Sequence, residues 1–142
     1  MTIASVLGEK GSQVESISAE APLFDAIRKL GEKRIGALLV IDRGQIAGIM
    51  SERDVIYCLR EQGQEVLEWP VSKVMTVPAI TAESSTDVLA ALALMTQRRI
   101  RHLPVVDRGQ LLGIVSIGDL VKHRMERIEA EADAMRAYIQ SA

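Results

Sequence analysis

The 142-residue sequence contains one cysteine, Cys58, and no long hydrophobic run. A single cysteine excludes an internal disulfide and provides no thiolate cluster for a metal, which suits a reducing compartment. The apolar stretch Val88–Met95 is too short to span a bilayer, and residues 1–5 lack the basic flank and apolar run of a signal peptide. We therefore expect a cytoplasmic protein without a membrane partner.

Aromatic residues are also scarce, at 3% of the chain, and the formal net charge is −2 with both signs mixed along the sequence. Duplex binding requires a concentrated basic face, and single-strand binding commonly relies on aromatic stacking. We therefore expect no nucleic-acid partner. Hydrophobic residues at 48% and charged residues at 25% are typical of a globular domain.

Groups for catalysis are equally sparse. The only histidines are His102 and His123, and neither forms a cluster with metal-ligand spacing. Glycine-rich phosphate loops are absent. We expect a non-catalytic protein with no catalytic cofactor and no metal, with an enzyme of unfamiliar type as the alternative.

The clearest positive feature is an internal duplication. Residues 35–51 recur at 100–116, with the Asp-Arg-Gly-Gln tetrad, the Gly-Ile pair, the serine and a later aspartate in register. Upstream, Ile17–Glu20 aligns with Ile80–Glu83 if the second copy carries two extra residues before its helix. Two repeats are too few for a solenoid, so a closed pseudo-twofold pair is expected.

Each copy reads as a β-α-β-β-α unit of an α/β (α+β) fold. In the first copy the predicted elements are a strand near Ile17, a helix over 23–33, a hairpin over 38–50 with its turn at 42–45, and a helix over 52–62. The second copy predicts a strand near Ile80, a helix over about 86–98, a hairpin over 103–115 and a closing helix. We assign repeat 1 to residues 1–62, a connector to 63–74, and repeat 2 with an extended C-terminal helix to 75–142.

The closing helix is predicted to run from Gly118 almost to the end of the chain. The spacing of its apolar residues predicts one shared face: Leu120, Met125, Ile128, Ala132, Met135 and Ile139. A long amphipathic helix packs either on its own domain or on a second subunit. We favour a homodimer contact and keep intrachain packing as the alternative.

Both repeats end their hairpin with serine followed by aspartate three residues later, at Ser51 and Asp54 and at Ser116 and Asp119. One interpretation is a helix cap, in which the serine and aspartate satisfy free N–H groups. The other is a ligand site, because a helix N-terminus attracts phosphate and a carboxylate can accept both hydroxyls of a ribose. Arg53 would then bind the phosphate.

These residues resemble a known family. The duplicated unit, the Arg-His-Leu-Pro-Val-Val-Asp segment at 101–107 and the Gly-x-x-Ser-x-x-Asp motif closing each hairpin are similar to a tandem pair of CBS domains, also called a Bateman module. The resemblance covers residues 2–122 and implies a stand-alone pair whose units pack sheet to sheet. It also implies two clefts for AMP, ADP, ATP, NAD or S-adenosylmethionine, frequent homodimers, and signalling to an effector protein that is unknown.

The resemblance further implies which residues line each cleft. The first cleft would combine Ser51, Arg53 and Asp54 with Thr76, Val77, Pro78, Arg101, His102, Leu103 and Pro104. The second would combine Ser116 and Asp119 with Val14, Ile17, Ile35, Gly36 and Ala37.

The second cleft departs from the first in its charges. Gly118 replaces Arg53, and Gly36 and Ala37 replace Arg101 and His102, so three phosphate-binding groups are missing together. Lys122 or Arg124 are the candidates to compensate. We predict one good phosphate site and one weaker or differently used site.

Three functions follow as hypotheses. The first is an adenine-nucleotide sensor that signals to a partner by shifting between states. The second is a pair binding NAD or S-adenosylmethionine. The third is a ligand-free scaffold whose working surface is the C-terminal helix.

Overall fold

The structure is a computed structural model, and it describes residues 1–141. The helices are α1 (Ile3–Lys10), α2 (Leu23–Lys33), α3 (Glu52–Gln62), α4 (Val88–Arg98) and α5 (Ile117–Ser141). The strands are β1 (Ser16–Ser18), β2 (Ala37–Asp42), β3 (Gln45–Ser51), β4 (His102–Asp107) and β5 (Gln110–Ser116). Two short 3₁₀ helices, Gly63–Glu68 and Val71–Lys73, lie between α3 and α4. The mixed α/β class and the extended C-terminal helix predicted from the sequence are confirmed.

The chain divides into two compact units. One comprises Gln13–Ile80, and the other combines Met1–Ser12 with the chain from Thr81 onward. The N-terminal segment therefore belongs to the same unit as the second repeat, and the segment after α3 belongs to the same unit as the first.

In the unit of residues 13–80, β1 runs parallel to β2, and β2 pairs antiparallel with β3. The hairpin turn places Arg43 at φ 52° and Gly44 at φ 75°, so both central residues are left-handed as a two-residue type I′ turn requires. Leu38, Val40 and Met50 are completely buried and form the core beneath α2 and α3. The predicted helices over 23–33 and 52–62 are both confirmed.

The second unit repeats the hairpin, with β4 and β5 antiparallel and the turn at Arg108 and Gly109. However, the predicted strand near Ile80 is wrong, because within residues 1–141 this stretch contributes a single parallel bridge, between Ala82 and Val105. In the first unit the parallel ladder includes a bond from the Leu39 N–H to the Glu15 carbonyl at 3.1 Å. The residue equivalent to Leu39 is Pro104, which has no N–H to donate, so the ladder shortens.

This bridge also corrects the alignment of the two copies. Ile17 faces Val40 and Ala82 faces Val105, so Ala82 rather than Ile80 is the structural counterpart of Ile17. The helices Leu23–Lys33 and Val88–Arg98 keep the same spacing of 65 positions. No extra residues therefore precede the second helix, and the two-residue insertion inferred from the sequence is wrong.

Two segments outside the repeated elements, residues 1–12 and residues 69–78, make matching backbone contacts, one with each unit. We call them the crossing segments. In the first unit, the Val71 N–H donates to the Ala21 carbonyl at 2.8 Å. In the second, the Ile3 N–H donates to the Thr86 carbonyl at 2.9 Å. Val71 and Ile3 are both completely buried. Residues 1–12 thus pack on the second repeat as residues 69–78 pack on the first.

Helix α5 has 25 residues, and only Leu120 and His123 are buried along it. The Nδ1 atom of His123 lies 3.3 Å from a carboxylate oxygen of Glu9 on α1, so these two residues join the first turns of α5 to the N-terminal helix. Among residues 1–141, no helix is both long enough and apolar enough to cross a membrane.

Candidate functional site

The start of α3 is a complete capping box. Ser51 is the N-cap, and its hydroxyl accepts a hydrogen bond from the Asp54 N–H at 3.3 Å. The Asp54 carboxylate accepts in return from the Ser51 N–H at 2.9 Å and from the Ser51 hydroxyl at 3.1 Å. The capping interpretation of the Ser-x-x-Asp motif is therefore confirmed, since these bonds satisfy donors that a helix start leaves open.

A further contact at Asp54 is not explained by capping. The Thr76 hydroxyl, 22 positions away, donates to Oδ1 of Asp54 at 2.9 Å. Thr76 is held there by two backbone bonds with Ile49 on β3, of 2.8 and 3.1 Å. The structure thus brings together Ser51, Asp54 and Thr76, three of the residues assigned to the first site from the sequence.

Gly48 makes this approach possible. A Cβ atom at position 48 would lie 2.6 Å from the Thr76 carbonyl oxygen and 3.0 Å from the Met75 sulfur. A contact of 2.6 Å with a backbone atom is too close for any residue with a side chain. Glycine at position 48 therefore sets the position of Thr76 beside the helix start.

The other predicted residues of this unit lie on the same part of the fold. Arg53 sits in the first turn of α3 and is half-buried. Val77 and Pro78 follow Thr76 directly and are exposed. Arg53 is thus next to Asp54 in the chain, and the exposed Val77 and Pro78 follow the threonine that contacts its carboxylate.

The start of α5 repeats the capping geometry. The Asp119 N–H donates to the Ser116 hydroxyl at 3.0 Å, and the Ser116 N–H donates to Oδ2 of Asp119 at 2.8 Å. The first turn of the helix is closed in the same way as that of α3. Gly118 at the place of Arg53 is exposed and leaves no side chain there.

At Asp119, however, the additional partner is a cation. The Lys10 ammonium group donates to Oδ2 of Asp119 at 2.6 Å and to the Ile114 carbonyl at 2.8 Å. Partial burial alone would raise the pKa of Asp119. The hydrogen bond from Lys10, the Ser116 N–H and the positive charge outweigh that effect, and they hold the pKa of Asp119 below its ordinary value.

Gly113 has the same role in this unit that Gly48 has in the other. A Cβ atom at position 113 would lie 2.8 Å from the Leu7 side chain and 3.6 Å from the Cα atom of Ser12. The glycine recurs because a crossing segment packs closely against each β-hairpin at this position. In this unit the segment is α1, and it ends at Lys10 beside Asp119.

The remaining predicted residues take varied positions. Arg101 is exposed and His102 half-buried, while Leu103 and Pro104 lie in the core of their unit. The Arg101 carbonyl accepts from the Ile117 N–H at 2.8 Å. The buried side chains at 103 and 104 therefore support β4, and the Pro104 carbonyl accepts a hydrogen bond from the Ala82 N–H at 3.0 Å.

The residues expected to complete the second site belong to the first unit. Ile17 and Gly36 are half-buried, and Ala37 is 8% exposed. The Gly36 carbonyl accepts from the Glu52 N–H at 3.0 Å, which matches the bond between Arg101 and Ile117. In each unit, the carbonyl of the residue before a strand, Gly36 or Arg101, thus binds the first N–H of the helix that follows the hairpin.

Sequence reasoning missed Lys10 because it lies 109 positions from Asp119 and outside the segments that recur in the second copy, 17–20 and 35–51. The candidates for a compensating cation were Lys122 and Arg124, both on α5 itself. A signal was present in the recurring glycines 48 and 113, which imply a crossing segment in both units. Within residues 1–141, no group of three metal-ligating side chains occurs.

Comparison with known proteins identifies the family. The CBS domain model matches residues 11–61 and 71–126. The chain is 34% identical over 148 residues to the CBS domain-containing protein CBSX3, mitochondrial, of Arabidopsis thaliana, covering 98% of this chain and 72% of that one.

Solved structures agree. A proposed signal-transduction protein with CBS domains from Burkholderia ambifaria MC40-6 superposes with a TM-score of 0.85 and 39% identity, covering 89% of this chain and 95% of the other. The hexameric CBS-CP12 protein from bloom-forming cyanobacteria gives a TM-score of 0.76 and 25% identity over 96% and 86% of the chains.

These matches define the class as a tandem pair of CBS domains, of the kind found in regulatory and signal-transduction proteins. This chain belongs to the CBS domain family.

Proposed function

We propose that this chain is a non-catalytic sensor that binds an adenine nucleotide, AMP, ADP or ATP, at the start of α3. The observation that carries the proposal is the contact between Asp54 and Thr76. The capping box needs only Ser51 and Asp54, yet a separate segment brings a hydroxyl to the same carboxylate at 2.9 Å. A carboxylate at a helix N-terminus, with an arginine in the same turn and a threonine hydroxyl bound to it, suits a ribose phosphate.

Asp54 retains acceptor capacity for such a ligand. A carboxylate offers about four acceptor positions. Ser51 takes two of them, both on Oδ2, and Thr76 takes one on Oδ1. A ribose hydroxyl can occupy the remaining position on Oδ1, and a second can replace the Thr76 hydroxyl without leaving a charge unpaired.

Asp119 is less suited to the same task. Its carboxylate is already paired through Oδ2 with the Lys10 ammonium group at 2.6 Å, so its negative charge is locally neutralised and a sugar hydroxyl would gain less from binding to it. The Arg53 position is glycine in this unit. The proposal is therefore one nucleotide site that uses Asp54, with Asp119 binding the same ligand more weakly.

Ligand binding must be coupled to an output. A ligand shifts a conformational equilibrium only through different affinities for the two states. The proposed output is contact with an effector protein by a homodimer of this chain. Self-association is consistent with the hexameric state named for the cyanobacterial CBS-CP12 protein. A cytoplasmic location stays a prediction, and one relative is named as mitochondrial.

The test is a thermal melt of ligand-free protein against AMP, ADP, ATP, NAD and S-adenosylmethionine. A ligand at one hundred times its Kd should add about 2.7 kcal/mol of stability. A shift with any of the three adenine nucleotides supports the sensor. The absence of a shift with all five compounds would refute ligand sensing and favour the scaffold alternative.

Deoxynucleotides sharpen the test at Asp54. If the carboxylate accepts ribose hydroxyls, the 2′-deoxy and 3′-deoxy forms of the preferred nucleotide should bind about tenfold more weakly, since each loses a hydrogen bond to a charged group. Equal affinity for ribo and deoxy forms would remove Asp54 from the proposed site.

NAD and S-adenosylmethionine are the second candidates, since both carry the same ribose and adenine groups. A larger shift with either than with the three mononucleotides would move the assignment to that ligand without changing the role of Asp54. Arg101 and His102, which the family resemblance assigns to the first site, are tested by Arg101→Ala and His102→Ala in the same assay.

A further inference from the structure

One face of α5 carries a continuous row of exposed apolar side chains. The row consists of Val121, Met125, Ile128, Ala132, Met135 and Ile139. All members except Ala132 are 41–65% exposed, although each is large and apolar. The spacing alternates strictly between four and three residues, which is the a/d pattern of a coiled-coil seam.

This row points away from the body of its own unit. The two buried residues of α5, Leu120 and His123, mark the face that packs on the body of the unit, where α5 contacts α1, α4 and β5. At 3.6 residues per turn, the centre of the apolar row lies about 130° around the helix from that face. The unit therefore leaves the row uncovered along its length. The prediction that Leu120 shares a face with the other apolar residues of α5 is therefore wrong, because Leu120 is completely buried while the large members of the row are exposed.

We propose that this row is the seam of a parallel, in-register, two-stranded coiled coil with a second copy of this chain. The proposal deepens the homodimer included in the proposed function by assigning its surface, direction and register. In it, Met125, Ala132 and Ile139 occupy a positions, and Val121, Ile128 and Met135 occupy d positions.

The charges beside the seam favour the parallel direction. In a parallel pair, each g position faces the e position of the next heptad in the partner helix. Arg124 would then face Glu129 of the second copy, and Glu131 would face Arg136 of the second copy. Twofold symmetry doubles both contacts, so all four g–e pairs join opposite charges.

An antiparallel pair with the same stacked layers has the opposite outcome. In that arrangement g faces g and e faces e, so Glu131 meets Glu131 and Glu129 meets Glu129 at the centre. Lys122 would face Arg136 of the second copy. Like charges therefore meet at every charged pair of e positions, which disfavours this direction.

The segment is also suited to stand as a free helix. Ala130, Ala134 and Ala137 lie outside the seam and are strong helix formers. Exposed ion pairs join Arg127 to Glu131 at 3.4 Å and Arg136 to Asp133 at 3.1 Å within the helix. Such exposed pairs are weak, so they leave Glu131 and Arg136 available for partner contacts.

The family match supports a role separate from the ligand site. It ends at residue 126, so most of the seam lies beyond the common domain. A second copy supplies a complementary helix with matching charges without any other partner. The seam would then provide assembly while the domain provides ligand binding.

Sedimentation velocity of the full chain tests the seam. The variant Ile128→Glu/Met135→Glu should weaken dimerisation about 100-fold or more, because it places unpaired charges in the seam. The matched control Ala130→Glu/Ala137→Glu adds the same charges on the outer face and should leave the dimer intact. A monomeric wild-type protein, or a dimer unchanged in the seam variant, would overturn the proposal.

Disulfide trapping tests direction and register in a Cys58→Ala background. In a parallel pair, chains with Met125→Cys cross-link to each other, as do chains with Met135→Cys. In the antiparallel alternative, position 125 faces 135, so only a mixture of the two variants cross-links. Cross-linking confined to the mixture would overturn the parallel assignment.

Charge exchange gives an independent check of the flanking pairs. Glu131→Arg and Arg136→Glu should each weaken self-association about fivefold, because each creates like-charge contacts in the parallel pair. Mixing the two variants should restore association through heterodimers. If the mixture stays as weak as its components, the assigned g–e contacts are wrong. Ligand-induced melting shifts should persist in all these variants, so failure of the seam is separable from failure of the sensor.

Discussion

The starts of α3 and α5 have the same capping geometry but different chemical partners at the capping aspartate. Both place serine at the N-cap and aspartate three residues later. In both units a crossing segment also packs against a recurring glycine of the hairpin. Yet the third partner of the carboxylate is the Thr76 hydroxyl in one unit and the Lys10 ammonium group in the other. Duplication thus preserved the scaffold that positions the carboxylate, while the crossing segments changed what the carboxylate can bind.

The largest expected effect concerns the two glycines. Gly48→Ala should destabilise the protein by about 2–3 kcal/mol, because the new Cβ meets a backbone oxygen at 2.6 Å. Gly113→Ala should cost about 1 kcal/mol or less, since its nearest neighbour is the flexible end of Leu7 at 2.8 Å. Urea unfolding of both variants measures the difference. Equal losses of stability would contradict this difference and show that both crossing segments accommodate a Cβ atom equally well.

Next in size is the contrast in ligand affinity. Asp54→Ala should weaken binding of the preferred nucleotide about 10- to 100-fold, through loss of hydrogen bonds to a charged acceptor. Asp119→Ala should change the affinity of that site less than threefold. Both variants lose a capping carboxylate, so each controls for the other's effect on stability. Isothermal titration calorimetry gives the two constants, and the reverse order of effects would contradict the proposed assignment.

Lys10→Met should produce a smaller change, one that depends on pH. The folded-state pKa of Asp119 is lowered, so its contribution to stability is present above the unfolded pKa of about 4 and is lost as pH falls through the folded value. The variant should be less stable than wild type by about 0.2–1 kcal/mol at pH 7, since both side chains are partly exposed. The gap should close below pH 4. Urea unfolding at both pH values checks this, and a gap that widens in acid would be inconsistent with the ion pair.

Thr76→Val should have the smallest effect on the fold. It keeps the shape of the side chain and removes the hydroxyl that donates to Asp54, at an expected cost of about 0.5 kcal/mol because the bond is exposed. Thermal melts without ligand measure this cost. The same substitution should alter nucleotide affinity, whereas Ser72→Ala, at an exposed position of the same segment, should leave it unchanged. Equal affinities of the two variants would separate Thr76 from the ligand site.

Local patterns predicted most of the fold. The amphipathic spacing over 23–33 and 52–62 and the Asp-Arg-Gly-Gln turns are properties of adjacent residues, and each element formed where these patterns indicated. The predicted start of the second helix at about Thr86 was early, because Asp87 caps the helix by accepting from the Leu89 N–H.

Long-range contacts were beyond that reasoning. The strand was misplaced near Ile80 because the alignment followed the similarity of Ile80–Glu83 to Ile17–Glu20. The spacing of 65 positions between equivalent elements of the two copies was overlooked. The parallel ladder of the second unit is shorter because Pro104 has no backbone N–H to donate to the neighbouring strand. Likewise, nothing in residues 1–10 indicates that Lys10 lies beside Asp119. Pairing of distant segments follows from packing of the whole unit rather than from local periodicity.

The most direct test of the difference between the two helix starts is an amide NMR titration. The protein is titrated with the nucleotide that stabilises it most, and the N–H signals of Ser51 and Asp54 are followed together with those of Ser116 and Asp119. The account predicts that the first pair shifts and saturates at a ligand concentration at least tenfold lower than the second. Saturation of both pairs at the same concentration, or of Ser116 and Asp119 first, would contradict it.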